Sequence, residues 1–217
     1  MAPPAAILDL DGTLVDTNYQ HALCWYRAFR RFEITLPIWK LHRHVGMGGD
    51  KFVAAVAGDE VEERLGDDVR DAWEEEFDRV IDEVAPLEGA HELVAALKDG
   101  GHDVVLASSS IQKHFDHFTE LIGAKELADG WTTKDDVEAS KPEPDLVRAA
   151  LEKTAADRAI MVGDTPWDVE AAQRAGVPTV CVMTGGFSEQ ELRDAGAVQV
   201  VESLPELTGT LSDARWR

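Results

Sequence analysis

The chain begins with a short apolar run that leads into two aspartates. Residues 5–15 read AAILDLDGTLV, so that Asp9 and Asp11 stand one residue apart, directly before Gly12 and Thr13. In an extended strand, side chains two positions apart point to the same face of the sheet. Two carboxylates held side by side repel each other unless a cation or a shared proton lies between them. The segment therefore predicts a buried strand that ends in a metal-assisted acid–base site.

Two other structures could begin with the same residues. An Asp-x-Asp-Gly start resembles a calcium loop, but such a loop needs Gly at its sixth position and an acidic ligand at its twelfth. Leu14 and Gln20 occupy those positions here, so a calcium loop is excluded. An ordinary strand-to-helix turn stays open at this point, because Asp and Gly are common turn residues.

A second segment repeats the pattern of an apolar run followed by acids. Residues 159–162 lead into Gly163, Asp164 and Thr165, and Asp168 follows one helical turn later. Ligands of open parallel sheets gather outside the carboxyl ends of the strands. We therefore expect Asp164 at such a strand end, with Asp168 able to reach back to the same cation.

Two further segments carry groups that bind phosphate or balance charge. Ser108 and Ser109 follow the apolar run 103–107, and a hydroxyl with backbone N–H groups at a strand end forms a natural phosphate cradle. Lys141 precedes Pro142, which disfavours helical backbone at the lysine. A lysine in this position is most often a solvated loop residue. It becomes a candidate for the site because the other segments supply no basic side chain.

Taken in chain order, these segments resemble the haloacid dehalogenase superfamily, in its phosphoglycolate phosphatase and β-phosphoglucomutase-like branch. The matching motifs are Asp9-Leu10-Asp11-Gly12-Thr13-Leu14, Ser108 after an apolar strand, Lys141-Pro142, and Gly163-Asp164-Thr165-Pro166-Trp167-Asp168. Each motif alone is weak, whereas all four in the family's order, spanning nearly the whole chain, are specific. The resemblance implies an α/β fold with a Rossmann-like parallel-sheet core and an inserted helical cap of the C1 type.

The resemblance also implies a role for each matched residue. Asp9 is expected to attack phosphorus and form an aspartyl-phosphate, and Asp11 to serve as acid and then as base. Mg²⁺ is expected on the Asp9 side chain, the Asp11 backbone carbonyl and Asp164. Asp168 and Thr165 are expected to contact these metal ligands without binding the metal themselves. The resemblance further implies that phosphate is bound by Ser108, Ser109, Lys141 and Gly12. Lys141 is also expected to be catalytic.

The rest of the sequence predicts the same architecture from hydrophobic patterning. Apolar strands are predicted at residues 5–10, 103–107, 159–162, 178–182 and 199–201. Amphipathic helical patterns lie between most of them, and such alternation favours a parallel sheet with helices on both faces.

Residues 16–85 break this alternation and read as several helices, with a boundary predicted between a helix at 60–65 and a longer one at 67–84. The predicted domains are a catalytic core of residues 1–15 and 86–217 and a helical cap of residues 16–85. Caps of this kind close over the site, exclude water and select the substrate, so we expect specificity to lie there.

Charge is divided within the predicted cap. Residues 27–51 are mainly basic, whereas residues 59–83 are mainly acidic. Part of the basic segment is therefore predicted to face the cleft and attract an anion, against the alternative that these cations pair with acids or face solvent. His21 resembles a histidine that family members carry at the hinge of the cap. The equal alternative is that His21 lies on the surface of a helix. The candidate substrate-binding residues of the cap are His21, Arg43, His44 and Lys51.

Composition limits the partners. The chain has 217 residues and a formal net charge of -21, which makes nucleic acid an unfavourable partner. No apolar run approaches the roughly 20 residues needed to span a bilayer, and residues 1–4 do not read as a signal peptide. Cys24 and Cys181 lack metal-type spacing and indicate reduced packing residues of a cytoplasmic protein. Nothing in the sequence indicates an oligomeric state.

Several function classes are compatible with this resemblance. The favoured one is a Mg²⁺-dependent phosphomonoesterase acting on a small metabolite such as phosphoglycolate or a sugar phosphate. The alternative is a β-phosphoglucomutase-like phosphomutase, which is expected to carry a basic cap residue shortly after a loop glycine. This chain has Gly48 and Gly49 there, with Lys51 slightly further on. A non-catalytic module is less favoured because every expected catalytic side chain is present, and a dehalogenase because it needs no counterpart of Asp11.

Overall fold

The computed structural model describes residues 2–216. Its strands are β1 (Ala5–Leu8), β2 (Val104–Ala107), β3 (Gly130–Thr132), β4 (Ala159–Gly163), β5 (Thr179–Val182) and β6 (Gln199–Val201). Its α-helices are α1 (Asn18–Arg31), α2 (Ile38–His42), α3 (Gly49–Ala57), α4 (Asp59–Asp78), α5 (Ala90–Asp99), α6 (Gln112–Ile122), α7 (Asp145–Leu151), α8 (Pro166–Arg174), α9 (Glu189–Ala195) and α10 (Leu204–Gly209).

The strands form one parallel sheet in the order β3-β2-β1-β4-β5-β6. The predicted α/β fold with a parallel sheet is therefore confirmed. β1 lies at the centre of the sheet and pairs with β2 on one side and β4 on the other. Because all the strands run in the same direction, the loops that follow β1, β2 and β4 meet at one edge of the sheet.

The central strand is apolar at every position because helices cover both faces of the sheet. Ala6 and Leu8 belong to the apolar cluster on one face, and Ala5 and Ile7 belong to the cluster on the other. All four side chains are fully buried. A continuous apolar run is typical of a strand buried on both faces, whereas a half-exposed strand alternates with polar residues.

Helices α1 to α4 pack around an apolar cluster of their own. Its members include Trp25, Phe29, Phe52 and Val69. The Trp25 and Phe52 rings stack with centroids 4.3 Å apart. Aromatic side chains at helical spacing in α1 thus build the interior of this helical layer, as their periodicity predicts.

The chain enters and leaves this helical layer through two segments that lie side by side. The Asp16 N–H donates to the Ala85 carbonyl at 2.9 Å, and the Leu87 N–H donates to the Leu14 carbonyl at 2.9 Å. The two crossings therefore form one short paired connection between the helical layer and the sheet.

The predicted helix boundary between residues 60–65 and 67–84 is wrong. Helix α4 continues through Gly66 to Asp78, and the chain then makes a 3₁₀ turn at Ile81–Glu83. A glycine inside a helix costs only about 1 kcal/mol relative to alanine. Burial of Val69 and Ala72 in the apolar cluster shared with α1 and α3 outweighs that local preference.

Two strand predictions also differ from the structure. β1 ends at Leu8, two residues before its predicted end, because the chain turns there toward the site. β3 was not predicted, since it has only three residues, Gly-Trp-Thr, and lacks an apolar run. The segment is a strand because it pairs with β2, although its own sequence shows no strand pattern.

Cys24 and Cys181 are both buried and free. Within residues 2–216, no helix combines the length and the apolar character needed to cross a membrane.

The depth of β1 can be tested by truncating one side chain. Leu8 is 0% exposed and Leu121 is 40% exposed. We expect Leu8→Ala to lower the free energy of unfolding by about 2–5 kcal/mol, because it leaves a cavity in a packed core. Leu121→Ala, the matched control on the surface of α6, should change it by no more than about 0.5 kcal/mol. Urea titration measures both, and equal losses in the two variants would contradict this description of the core.

Candidate active site

The carboxyl ends of three neighbouring strands bring three predicted residues together. Asp9 follows β1, Ser108 follows β2 and Asp164 follows β4, and all three side chains are buried. The Asp9 N–H donates to the Val162 carbonyl at 3.0 Å, which ties the start of the first loop to the end of β4. Residues more than 150 positions apart in sequence thus meet at one point of the sheet edge.

Lys141 lies between two carboxylates. Its Nζ is 2.6 Å from Asp9 Oδ1 and 2.7 Å from Asp168 Oδ1, and the lysine is only 1% exposed. Burial opposes the charge of the ammonium group, but Asp168 and Asp9 outweigh burial and hold the pKa of Lys141 above its usual range. The interpretation of Lys141 as a solvated loop residue is therefore excluded, and the site contains a buried, permanent cation.

Asp168 both pairs with Lys141 and fixes the first turn of α8. Its Oδ2 accepts hydrogen bonds from the Thr165 N–H at 3.0 Å, the Thr165 hydroxyl at 2.7 Å and the Asp164 N–H at 3.3 Å. This reciprocal capping arrangement satisfies N–H groups that the first turn of a helix otherwise leaves free. Asp168 therefore holds the backbone that presents Asp164.

Asp164 is oriented by two donors from the loop after β1 and the start of α1. Thr13 Oγ1 donates to Asp164 Oδ1 at 2.9 Å, and Asn18 Nδ2 donates to Oδ2 at 3.0 Å. Burial, and then the charge of Asp168, raise the pKa of Asp164 to about 7 despite these hydrogen bonds. Gly12 has a φ of +76°, and a Cβ there would lie 2.2 Å from both Asp164 Oδ2 and Asn18 Nδ2. Only glycine fits beside this carboxylate.

Three carboxylates of the site could together hold a metal ion. Ligand oxygens of Asp9, Asp164 and Asp168 all lie within 4.8 Å of one another. Burial raises the pKa of Asp9 well above its usual value, and Lys141 does not offset that effect. Asp168 pairs with the Lys141 ammonium through Oδ1 and caps α8 through Oδ2. Asp164 has only the neutral donors Thr13 and Asn18, and Asp9 Oδ2 accepts none of the described hydrogen bonds, so these two carboxylates are best placed for a divalent cation. Their hard oxygen donors suit Mg²⁺.

The carboxylate of Asp11 turns away from this group of three. His21 Nε2 lies 2.8 Å from Asp11 Oδ1, and Ser110 Oγ donates to Oδ2 at 2.7 Å, with Ser108 Oγ at 3.3 Å. Burial alone would raise the pKa of Asp11, but the hydrogen bond and charge of His21 and the hydrogen bond of Ser110 hold it well below its usual range. Asp11 is therefore ionised and fixed in direction.

His21 is part of the interior and not of a helix surface. It is 6% exposed, and its ring stacks on Phe77 with centroids 4.2 Å apart. Helices α1 and α4 of the helical layer thus hold a histidine directly against Asp11, which comes from the sheet. The surface alternative for His21 is excluded.

A cavity of about 480 Å³ lies over these residues, between the sheet edge and the helical layer. Its walls include Asp9, Asp11, Ser109 and Lys141 on the sheet side, and Trp25, Trp73, the loop 45–49, Asp67, Arg70, Asp71 and Glu74 on the helical side. Ser109 Oγ is buried and has no hydrogen-bond partner within the described residues. It is therefore available to a bound ligand.

The other predicted cap residues lie elsewhere. Arg43, His44 and Lys51 are not among the described residues that line the cavity. Arg43 pairs with Glu191 and lies 4.0 Å from the centre of the Phe187 ring. His44 Nδ1 lies 2.8 Å from a backbone carbonyl of α2. The basic segment therefore faces the cavity only through the backbone and side chains of its loop 45–49, and not through these three cationic candidates.

Within the helical layer, the mainly acidic segment supplies Arg70, a cation that lines the cavity. Sequence reasoning also missed Asn18, Ser110 and Lys134, which line the cavity or bind the aspartates. Ser110 continues the serine run of residues 108–110, and that run was the available signal. Arg70 carried no signal, since only the packing of α4 determines which of its faces covers the site.

Residues 6–182 match the family model described as haloacid dehalogenase-like hydrolase. The chain belongs to this family. The resemblance predicted from the four motifs is therefore confirmed.

Individual relatives of this haloacid dehalogenase-like hydrolase span most of its length. It is 30% identical over 188 residues to a pyrophosphatase PpaX of Bacillus velezensis, which covers 82% of each chain. It is 28% identical to a phosphoglycolate phosphatase of Nitrosococcus oceani over 98% of each chain. A crystal structure of a hydrolase from Pseudomonas syringae superposes with a TM-score of 0.91 at 29% identity and covers 97% of this chain and 99% of the other.

The raised pKa of Asp164 predicts a pH-dependent stability of the hydrolase in EDTA. The folded-state pKa is about 7 and the ordinary value is 3.8. Between these values the unfolded chain releases the proton and the folded one retains it, so ionisation destabilises the wild type as the pH rises. We expect the free energy of unfolding of Asp164→Asn, minus that of the wild type, to increase from pH 4 to pH 7 and then to level off. Urea unfolding measures both free energies.

Asp16→Asn, at an exposed position, is the control for loss of one negative charge from an acidic chain. A stability difference between Asp164→Asn and wild type that stays constant from pH 4 to pH 8 would contradict the raised pKa.

Proposed function

We propose that this chain is a Mg²⁺-dependent phosphomonoesterase that acts on a small phosphorylated metabolite through an aspartyl-phosphate at Asp9. The observation that carries the proposal is the Asp9 carboxylate, 3% exposed and 2.6 Å from Lys141 Nζ, at the floor of a cavity that Asp11 also lines. Membership of a hydrolase family supports it, as do the relatives named pyrophosphatase and phosphoglycolate phosphatase.

Asp9 is proposed as the nucleophile. Lys141 donates to Oδ1, and none of the described hydrogen bonds engages Oδ2, which leaves that oxygen to attack phosphorus. A buried lysine held protonated can stabilise negative charge as it develops on the phosphoryl oxygens. Mg²⁺ held by Asp9, Asp164 and the Asp11 backbone carbonyl would neutralise further charge on those oxygens.

Asp11 is proposed as the acid and the base. Its ionised carboxylate is ready to take a proton from water when the aspartyl-phosphate is hydrolysed. To protonate the leaving group in the first step it must carry a proton, and His21 Nε2 contacts its Oδ1 at 2.8 Å. His21 is thus proposed to set the proton affinity of Asp11.

The serine loop is proposed as the phosphate cradle. Ser109 Oγ lines the cavity without a partner, so it is free to donate to a phosphoryl oxygen. Ser108 Oγ accepts from the Ser110 N–H at 3.0 Å and so shapes the loop. Gly12 is not among the described residues that line the cavity, and its role in phosphate binding stays a prediction. Backbone N–H groups in such a turn favour an anion.

Phosphate release tests this proposal directly. We expect Asp9→Asn to abolish release of inorganic phosphate from p-nitrophenyl phosphate, since an amide cannot attack phosphorus. Asp11→Asn should lower kcat by about 10²–10⁴-fold through loss of proton transfer. EDTA should abolish turnover, and Mg²⁺ should restore it. Asp16→Asn, an exposed acid outside the site, is the control. Turnover that survives Asp9→Asn would refute the aspartyl-phosphate, and turnover that survives EDTA would refute the metal.

Hydrolysis is proposed in preference to phosphoryl transfer between hydroxyls. The cap loop carries Gly48 and Gly49 where a phosphomutase is expected to hold a distal phosphate with a basic residue. Lys51 does not replace that residue, since it is not among the described residues lining the cavity. The product that accumulates, free phosphate or an isomer, distinguishes the two reactions.

The cavity wall favours a substrate with one anionic group. Asp67, Asp71 and Glu74 line the helical side of the cavity. Arg70, in the same wall, donates to Glu62 at 3.0 Å and to Asp67 at 2.8 Å, so its charge is already paired. A second anion that pointed toward the helical side would face these carboxylates, whereas hydroxyl groups could donate to them. Lys134, the other lysine that lines the cavity, lies beside the serine loop on the sheet side. Of the two expected substrate types, we therefore propose the sugar phosphate over phosphoglycolate.

Two small phosphomonoesters of similar size test this substrate preference. We expect kcat/KM for 2-hydroxyethyl phosphate to exceed that for phosphoglycolate by about tenfold, which corresponds to about 1.4 kcal/mol. Asp71→Asn should narrow the ratio because it removes one carboxylate from the wall. Asp68→Asn, on the exposed side of the same helix, should leave the ratio unchanged. If the wild type prefers phosphoglycolate, the proposed substrate preference is wrong, whereas the proposed phosphatase activity is unaffected.

Residues 16–85 are proposed as the cap, with residues 1–15 and 86–217 as the catalytic core. The paired crossing at Asp16 and Ala85 supports these boundaries. We also propose a cytoplasmic location, which the two free buried cysteines support.

A further inference from the structure

We propose that Asp50 is a positioning residue for the reaction: this cap carboxylate binds Ser140 and thereby holds the segment that carries Lys141. The inference rests on the proposed function and adds to it a residue that neither touches the substrate nor lines the cavity.

A single carboxylate takes both polar hydrogens of Ser140. Asp50 lies in the first turn of α3, and its Oδ1 accepts a hydrogen bond from Ser140 Oγ. Its Oδ2 accepts from the Ser140 N–H at 3.4 Å. Ser140 is only 3% exposed, so solvent does not readily replace these bonds. The contact joins the helical layer to the sheet side across 90 positions of sequence.

This contact bears directly on the catalytic lysine. Ser140 is the residue before Lys141, whose Nζ lies within 2.7 Å of both Asp9 and Asp168. A buried N–H or hydroxyl left without a partner costs about 1–3 kcal/mol. Without Asp50, residue 140 would therefore move toward water and take the Lys141 backbone with it. An ammonium group that must lie between two fixed carboxylates has little tolerance for such a shift.

Gly48 shows that the close approach of the two segments is a requirement of the packing. Its φ of −70° and ψ of 156° are accessible to any residue, so backbone freedom does not explain the glycine. A Cβ at this position would lie 1.9 Å from Ser140 Oγ and 2.2 Å from Ser140 Cβ. Glycine is needed here because the cap loop lies directly on Ser140. This observation is independent of the hydrogen bonds.

The competing explanation is that Asp50 only stabilises α3. An acid in the first turn of a helix interacts favourably with the helix dipole, by about 0.3–1 kcal/mol. Asp59, in the first turn of α4, has the same placement without a contact to the lysine segment. Asp59→Ala is therefore the matched control for loss of a helix-stabilising carboxylate.

Steady-state kinetics on p-nitrophenyl phosphate with Mg²⁺ tests the role in catalysis. We expect Asp50→Ala to lower kcat by about 10–100-fold, the effect typical of groups that orient a catalytic residue, with KM within about twofold. Gly48→Ala, which keeps the carboxylate but forces the segments apart, should lower kcat in the same way. Asp59→Ala should leave kcat unchanged.

A double-mutant cycle tests whether Asp50 acts through Ser140. If the two residues work through one contact, Asp50→Ala combined with Ser140→Ala should be no slower than the slower single variant. Multiplicative losses would show that Asp50 acts elsewhere and would overturn the proposal. Asp50→Glu, which retains a carboxylate, should recover more kcat than Asp50→Ala.

Hydrogen–deuterium exchange tests the contact without relying on turnover. The amides of Ser140 and Lys141 should exchange faster in Asp50→Ala and Gly48→Ala than in wild type, and at the wild-type rate in Asp59→Ala. Unchanged exchange in Asp50→Ala, or faster exchange with full kcat, would overturn the positioning role. A wild type that hydrolyses no phosphomonoester would instead refute the proposed function, while the exchange experiment would still decide the contact.

Discussion

The site depends on one ammonium group placed between two buried carboxylates. Lys141 Nζ contacts both Asp9 and Asp168, and all three side chains are almost fully buried. Buried charges persist only when partners and hydrogen bonds repay the loss of water. Here the repayment is incomplete, because Asp164 adds a third buried carboxylate within reach of the same group. The unbalanced negative charge is the physical reason that the site suits a divalent cation.

The surrounding structure holds this charged group in place from several sides. Asp168 closes the first turn of α8, and Thr13 and Asn18 orient Asp164. Asp11 is kept out of the group by His21, a residue of the helical layer. Two carboxylates of the same motif thus occupy different electrostatic environments: burial raises the pKa of Asp9, and hydrogen bonds lower the pKa of Asp11. A cation bound by Asp9 would offset this rise and favour the ionised form that the proposed nucleophile needs.

The helical layer contacts the sheet at the loops that carry the catalytic groups. Arg43 reaches Glu191 and Phe187, His42 lies 3.1 Å from the Gly185 carbonyl, and Asp50 binds Ser140. Of the cations that line the cavity, Arg70 is paired with Glu62 and Asp67, and Lys141 with Asp9 and Asp168. Lys134 also lines the cavity and has no salt bridge among the described residues. In the proposed phosphomonoesterase, attraction for the phosphoryl group would come from Lys141, Lys134 and the proposed metal.

Much of the fold and of the site followed from the sequence by itself. The apolar run before Asp9 and Asp11 predicted a buried strand, and parallel strands place their ends at one edge, so Asp9, Ser108 and Asp164 were predictable neighbours. Local patterning failed where tertiary contacts outweigh local preference, as at Gly66 inside α4 and in the three-residue β3. The direction of the Asp11 carboxylate, the pairing of Arg43 with Glu191 and the contact of Asp50 with Ser140 were decided only by the tertiary structure. Each depends on how helices of one layer pack against loops of another, and that packing is set by side chains far apart in the chain.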